Sequence, residues 1–139
     1  MMTEVDTLLD NRYFSTLAFV SVTVLALLVC LFCFELVTRY KCWDEIKRGN
    51  VAVAMATGGK IFGICNVFRF SIASHDSIYQ SLLWGGFGFL ILMAAYFLFE
   101  FLTPVFRIDE EIRNDNRAVG FVAMTISIAL SYVIGATIH

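Results

Sequence analysis

The stretch WDEIKRGNVAVAMATGGKIFGI, residues 43–64, decides the fold, because a charged loop passes directly into an apolar run rich in alanine and glycine. This run continues to about residue 68, and three further apolar runs lie at about 13–37, 78–102 and 118–138. Each is close to the roughly 20 helical residues that cross a hydrocarbon layer about 30 Å thick. Backbone polar groups in lipid must be satisfied within the segment. The runs therefore predict an all-α polytopic membrane protein with four transmembrane helices.

Composition favours the same class of protein. Of the 139 residues, 59% are hydrophobic and 16% are charged, and the mean hydropathy of +0.77 exceeds that of typical soluble domains. We therefore expect the lipid bilayer to be the main environment. The net charge of -2 does not indicate a nucleic-acid partner. An acidic N-terminal tail and a charged segment after the first run favour a retained helix over a cleaved signal peptide.

An echo of the opening stretch follows about 65 residues later, as RNDNRAVGFVAMTISIALSYVIGA at 113–136. At an offset of 65, FE at 34–35 matches FE at 99–100, and DE at 44–45 matches DE at 109–110. When one residue is inserted after these acidic pairs, Asn50 matches Asn116. Each copy is a helix, a loop and a helix, so both copies have the same orientation in the membrane. The sequence thus predicts two parallel helix-pair repeats.

The repeat also defines the predicted organisation of the chain. The segments are an extracytoplasmic tail at 1–12, a first helix-pair repeat at 13–68, a short extracytoplasmic loop at 69–77 and a second helix-pair repeat at 78–139.

The two matching stretches resemble the bacterial membrane proteins of the family of unknown function DUF350, also called UPF0719. The resemblance covers about residues 13–136; its most specific part is GNVAVA at 49–54, supported by NRAVG at 116–120. It implies two helix-pair repeats in a bacterial inner membrane. It implies no reaction, and it supplies no catalytic or cofactor residues.

The basic residues predict the orientation. Seven of the ten Lys and Arg residues fall in the first and third loops and two fall on the opposite side. By the positive-inside rule, these two loops are cytoplasmic and both termini are extracytoplasmic. The seven are Arg39, Lys41, Lys47, Arg48, Arg107, Arg113 and Arg117.

The tenth basic residue, Lys60, lies inside the second apolar run. It is ten residues beyond Asn50, or about 15 Å along a helix axis. A lysine at the helix centre costs roughly 3 kcal/mol on insertion scales, so we expect it to face protein or water and to have a partner. Glu100 is the better candidate partner and Glu35 the second, because FLFEFL places Glu100 deeper in apolar sequence. The group is either a structural pair that fixes packing or part of a charge-lined path or proton relay.

Small residues at four-residue spacing in the second and fourth runs predict close helix packing. They are Gly58, Gly59, Gly63, Ser127, Ser131 and Gly135. Helices two and four then either pack together or form a subunit interface; the alternative is that the glycines line a pore. Asn50 and Asn116 directly precede these helices and are expected to be N-caps.

We find no catalytic, cofactor-binding or metal-ligand motif in the sequence, and no cofactor is expected. The acidic pairs at 44–45 and 109–110 are expected to be solvated, with divalent-ion binding as the alternative. Cys30 and Cys33 form a CxxC with apolar flanks, so we interpret them as small hydrophobes.

These features favour a non-enzymatic inner-membrane component. We expect a homo-oligomer or the anchor of an envelope complex, with membrane or cytoplasmic protein partners. The alternative is an oligomeric channel or carrier for ions or small solutes that uses Lys60 and Glu100. A lysine facing a wet cavity would favour the alternative, whereas a lysine enclosed within one subunit would favour the first hypothesis.

Overall fold

A computed structural model describes residues 4, 7, 11–37, 41–74, 77–102 and 108–138, with 100–102 described by their backbone only. Over these residues the chain is helical and contains no strand. Helices run in the order α1 Arg12–Val37, α2 Cys42–Lys47, α3 Val51–Ser74, α4 Ile78–Leu102, α5 Ile108–Arg113 and α6 Arg117–Ile138. The four long helices are each long and apolar enough to cross a membrane. The predicted all-α class with four transmembrane helices is confirmed.

Helix α3 extends beyond its predicted end at residue 68, as far as Ser74. Residues 69–74 therefore belong to the helix and not to the predicted loop at 69–77. The polar side chains here form hydrogen bonds close by: Ser74 Oγ donates to Phe70 O at 2.8 Å, and Ser71 Oγ donates to Ser81 O at 2.6 Å. Because their hydrogen bonds are satisfied, these serines do not end the helix.

The four long helices differ in how much of their surface is covered. Within the most apolar window of each helix, 61% of α3 is buried but only 11% of α1. Helix α3 packs against α1, α4 and α6, and α4 also packs against α6. The fold is thus organised around α3, with α1 at the edge.

Helices α3 and α6 run parallel and approach closely through small residues. A Cβ added at Gly59 would lie 2.6 Å from Met124 Cα, and one added at Gly120 would lie 2.8 Å from Ala52 Cα. Such separations are possible only because glycine has no side chain. In lipid, where the hydrophobic effect does not drive helices together, close packing of this kind supplies much of the association energy.

The short helices α2 and α5 lie on the same side of the bundle, which we call the short-helix side. They are joined to the starts of α3 and α6 by a single apolar cluster. Its buried members are Cys42, Ala52, Val53, Ala56, Ile108, Ile112 and Ala123. Both short helices are thereby docked onto the long ones.

The turns that follow the two short helices have the same hydrogen bonds at an offset of 66. The backbone N–H of Asn50 donates to Glu45 O at 3.0 Å, and that of Asn116 donates to Glu111 O at 3.0 Å. Positive φ angles recur at Gly49, 85°, and Asp115, 61°. This recurrence supports the repeat interpretation, but it corrects the predicted alignment of the acidic pairs. The counterpart of Glu45 is Glu111, because the extra residue precedes the short helix.

Candidate functional site around Lys60

The side chain of Lys60 is 3% exposed and lies among aromatic rings. Its Nζ is 4.7 Å from the ring centroid of Tyr96 on α4 and 5.1 Å from that of Phe34 on α1. The two rings meet edge to face, with their centroids 6.0 Å apart. A cation over a ring face is attracted by the negative face of the π system, and this attraction grows when water is excluded. Rings from two other helices of the same chain thus face the ammonium group.

The hydroxyl of Tyr96 connects this site to the short-helix side. It donates a hydrogen bond of 2.7 Å to Asp109 Oδ1 on α5. Asp109 is itself only 3% exposed. A hydrogen bond between two buried groups is strengthened by the low polarity of its surroundings. The expectation that the acidic pair at 109–110 is solvated is therefore wrong for Asp109, although Glu110 is exposed.

A second group of polar side chains lies beside Lys60. Burial raises the pKa of the Cys42 thiol; Lys60 and a contact with Thr57 lower it, and Glu35 raises it. Three polar side chains thus influence the one thiol. The Thr57 hydroxyl is buried and has no nitrogen or oxygen partner among the described residues.

Beyond Lys60 along α3, the described residues form an apolar core with α1, α4 and α6. The buried residues of this core are Cys30, Phe34, Ile64, Val67, Phe68, Phe89, Leu92, Tyr96, Ile134 and Ile138. Ile64 and Val67 lie on the turns of α3 after Lys60 and are both 0% exposed. The residues that follow Lys60 on α3 thus form an apolar block with α1, α4 and α6, which the buried polar side chains of Asn66 and Ser71 interrupt.

The predicted partners of Lys60 are placed as follows. Glu35 is half-buried, and it raises the pKa of the Cys42 thiol, which Lys60 lowers. The side chain of Glu100 lies outside the described residues. Sequence reasoning missed Tyr96, which precedes Glu100 by four residues and so lies on the same helix face one turn away. The signal was present as YFLFE at 96–100, an aromatic residue one turn before an acidic residue in an apolar run.

Five of the six predicted packing residues contact the partner helix. A Cβ at Gly63 would lie 3.2 Å from Ser127 O and 3.6 Å from Ser131 Cβ, and one at Gly59 would meet Met124. Gly135 packs against the Phe70 ring. Gly58 does not take part: it is exposed, and a Cβ there would meet nothing within 4 Å. Its helical phase points it away from α6, so it lies outside the contact between α3 and α6.

An additional polar contact crosses the α3–α6 interface. Asn66 Nδ2 donates to Ser131 Oγ at 3.0 Å, and Ser131 Oγ donates to Ile128 O at 2.6 Å. Both side chains are buried. The sequence analysis did not single out Asn66, because a lone asparagine in an apolar run carries no motif.

The two asparagines before the long helices hydrogen bond to the first turns. Asn50 Oδ1 accepts from Val53 N at 3.1 Å, and Asn116 Oδ1 accepts from Val119 N at 3.4 Å. Asn50 also donates to Arg113 O at 2.8 Å, which joins the two turns. Asp115 adds a second link, since its Oδ1 accepts from Ala52 N at 3.0 Å.

None of the described residues form a group of three His, Cys, Asp or Glu side chains that could hold a metal ion. The site is instead a buried cation among aromatic rings, joined by one hydrogen bond to a short helix. These features define a polytopic four-helix membrane protein with an intramembrane lysine.

Comparison with known proteins assigns it to a family. The model of the Domain of Unknown Function (DUF350) matches residues 6–138, and the chain belongs to this family. The chain is 57% identical over 129 residues to the UPF0719 transmembrane protein YshE of Bacillus subtilis (strain 168), which covers 93% of this chain and 96% of the relative. No solved structure matches the chain.

Proposed function

We propose that the protein is a non-enzymatic component of the bacterial inner membrane that works as a homo-oligomer or as the anchor of an envelope complex. The observation that carries this proposal is the enclosure of Lys60 within one chain. Its Nζ is held by Phe34 and Tyr96, and the apolar residues Ile64 and Val67 follow it on α3. A lysine placed in this way stabilises the arrangement of helices without lining a continuous path.

The outward surface supports a role in association. Most large side chains on α1 are apolar and exposed, among them Leu17, Leu25 and Leu36 at 64%, 63% and 69%. Lipid, another copy or a partner helix can cover such a surface. The short helices offer a different surface. Trp43 of α2 is 51% exposed, and Arg48, the first residue after α2, is exposed and paired with Glu45. Protein partners would meet the molecule there.

The proposal includes an orientation. We place the short-helix side in the cytoplasm and both termini outside, because the basic residues concentrate around α2 and α5. In the same way we propose that the two helix pairs are parallel repeats, supported by the recurring turn geometry at Asn50 and Asn116.

One observation favours a second function, an oligomeric channel or carrier for ions or small solutes. The Tyr96–Asp109 hydrogen bond extends a polar connection from the membrane interior towards the short-helix side. A path that crosses the membrane would need an opening through the apolar block, or a shared path between subunits near Glu100. This alternative therefore requires an arrangement beyond the single chain.

Purification in detergent followed by flux measurement separates the two functions. Oligomer size is measured by light scattering, and the protein is then reconstituted into liposomes loaded with a proton- or ion-sensitive dye. We expect a defined oligomer without flux above that of empty liposomes. Flux that is abolished in Lys60→Met while the oligomer size is unchanged would establish the channel or carrier instead.

The orientation is tested independently. A reporter fused after His139 is expected to give an extracytoplasmic signal, and a reporter inserted after Gly49 a cytoplasmic one. The reverse pair of signals would overturn the proposed topology without affecting the test of flux.

A further inference from the structure

Three helices are joined by one chain of contacts at Lys60. The ammonium of Lys60 on α3 lies over the Tyr96 ring on α4, and the Tyr96 hydroxyl donates to Asp109 on α5. We propose that these three residues form a latch that holds α5 against the bundle, so that the cation inside the membrane controls how firmly the short helices are docked.

The physical coupling acts through the tyrosine. A cation over the ring face fixes the orientation of the ring and withdraws electron density from it, which makes the phenol a better hydrogen-bond donor. Asp109 then accepts a short hydrogen bond in a buried site. Without the cation, the ring keeps its packing against Phe34 but loses the attraction that holds its hydroxyl towards α5. Tyr96 is thus a positioning residue between Lys60 and Asp109.

The apolar side of α5 explains why the latch also affects α2. Ile108 and Ile112 of α5 are buried in the same cluster as Cys42 of α2 and Ala52 of α3. When α5 loosens, the cover over Cys42 loosens with it. The latch thereby connects a site in the membrane to the surface at which partners would bind, and it exists whether or not a partner is present.

Cys42 provides a native reporter of this state. The chain has four cysteines, so replacing Cys30, Cys33 and Cys65 by alanine leaves one thiol, which is 6% exposed. A buried thiol reacts with N-ethylmaleimide only during local opening. The rate is measured on the full chain in lipid nanodiscs and divided by the rate in denaturant.

We expect Tyr96→Phe to speed the reaction of Cys42 by about tenfold, as the loss of one buried hydrogen bond implies. The matched control is Tyr132→Phe, the same change at a half-exposed tyrosine of α6, with a rate within about twofold of the parent. A second control places the single thiol in the α3–α6 interface as Ser131→Cys, where Tyr96→Phe should leave the rate unchanged. Acceleration there as well, or none at Cys42, would overturn the latch.

Lys60→Met separates the latch from simple electrostatics. Lys60 lowers the pKa of the Cys42 thiol, so its removal alone would reduce the thiolate and slow the reaction. The latch predicts the opposite sign, an acceleration, and no further acceleration when Lys60→Met is combined with Tyr96→Phe. A slower reaction in Lys60→Met, or effects that multiply in the double variant, would contradict the coupling.

A further variant keeps the test decisive if Lys60→Met does not yield folded protein. Phe34→Leu removes one of the two rings over Nζ while leaving Lys60, Tyr96 and Asp109 in place. It should accelerate the reaction of Cys42 with N-ethylmaleimide by a smaller factor than Tyr96→Phe does. An unchanged rate in Phe34→Leu would show that the aromatic enclosure of the cation does not hold α5.

Discussion

Helices α3 and α6 begin with the same capping geometry, but α3 is enclosed along most of its length whereas α6 leaves much of its surface exposed. In their most apolar windows, 61% of α3 and 33% of α6 are buried. At the position of Lys60, α6 carries Ile126. The two helices thus agree at their first turns and differ further along their length. We interpret the turns as the shared means of starting a helix, and the interior of α3 as the specialised part.

The largest expected effect comes from closing the space between these two helices. Gly59→Val would place side-chain atoms where even a Cβ lies 2.6 Å from Met124 Cα, so we expect a loss of about 3 kcal/mol or failure to fold. The matched control is Gly58→Val at the neighbouring exposed position, with a change within about 0.5 kcal/mol. Thermal unfolding in detergent, followed by far-UV circular dichroism, measures both. Equal losses would show that α3 and α6 do not meet through Gly59.

The next effect compares the two capping asparagines. Asn50→Ala removes the cap on α3 and also the hydrogen bond to Arg113 O, whereas Asn116→Ala removes a longer cap bond and the 2.9 Å bond to Glu111 Oε2. We expect losses of about 2 and about 1 kcal/mol, respectively. The same unfolding measurement gives both values. A larger loss of stability in Asn116→Ala than in Asn50→Ala would contradict this prediction.

The smallest effects concern the residue with positive φ in each turn. Asp115 adopts φ 61° while its side chain accepts from Ala52 N. Asp115→Gly removes this acceptor but relieves backbone strain, two terms of about 1 kcal/mol that oppose each other. We expect a net change below about 0.5 kcal/mol for Asp115→Gly, but a loss of about 1 kcal/mol for Gly49→Ala, which only adds strain at φ 85°. The melting midpoints of Asp115→Gly and Gly49→Ala, compared with that of the parent protein, test whether backbone strain at positive φ accounts for the difference.

Hydropathy was sufficient to predict the four long helices, because each apolar run had to be a helix in lipid. It did not show how the helices are arranged around Lys60. Glu100 was favoured as a partner from depth alone. Tyr96 could have been noticed one turn before Glu100, but the contact of its ring and that of Phe34 with Lys60 depends on how three helices are placed. Similarly, the predicted alignment of the acidic pairs was shifted by one residue. It treated Asp109 like Asp44, so the burial of Asp109 beside Tyr96 was not expected. Pattern reasoning thus identified the unusual cation but not the groups that enclose it.

The central claim, that the surroundings of Lys60 are closed to water within one chain, is tested most directly at Thr57. Thr57→Cys is nearly isosteric and keeps Lys60 in place; the four native cysteines are replaced by alanine. Its reaction with a charged methanethiosulfonate reagent, added to either side of reconstituted vesicles, is compared with that of Arg48→Cys, an exposed position on the short-helix side.

We predict that Thr57→Cys, with reagent on either side, reacts at least about a hundredfold more slowly than Arg48→Cys does with reagent on the short-helix side, as expected for a side chain reached only through local opening. Reaction of Thr57→Cys at a rate comparable to that of Arg48→Cys would show a water-filled path to Lys60 and contradict the account.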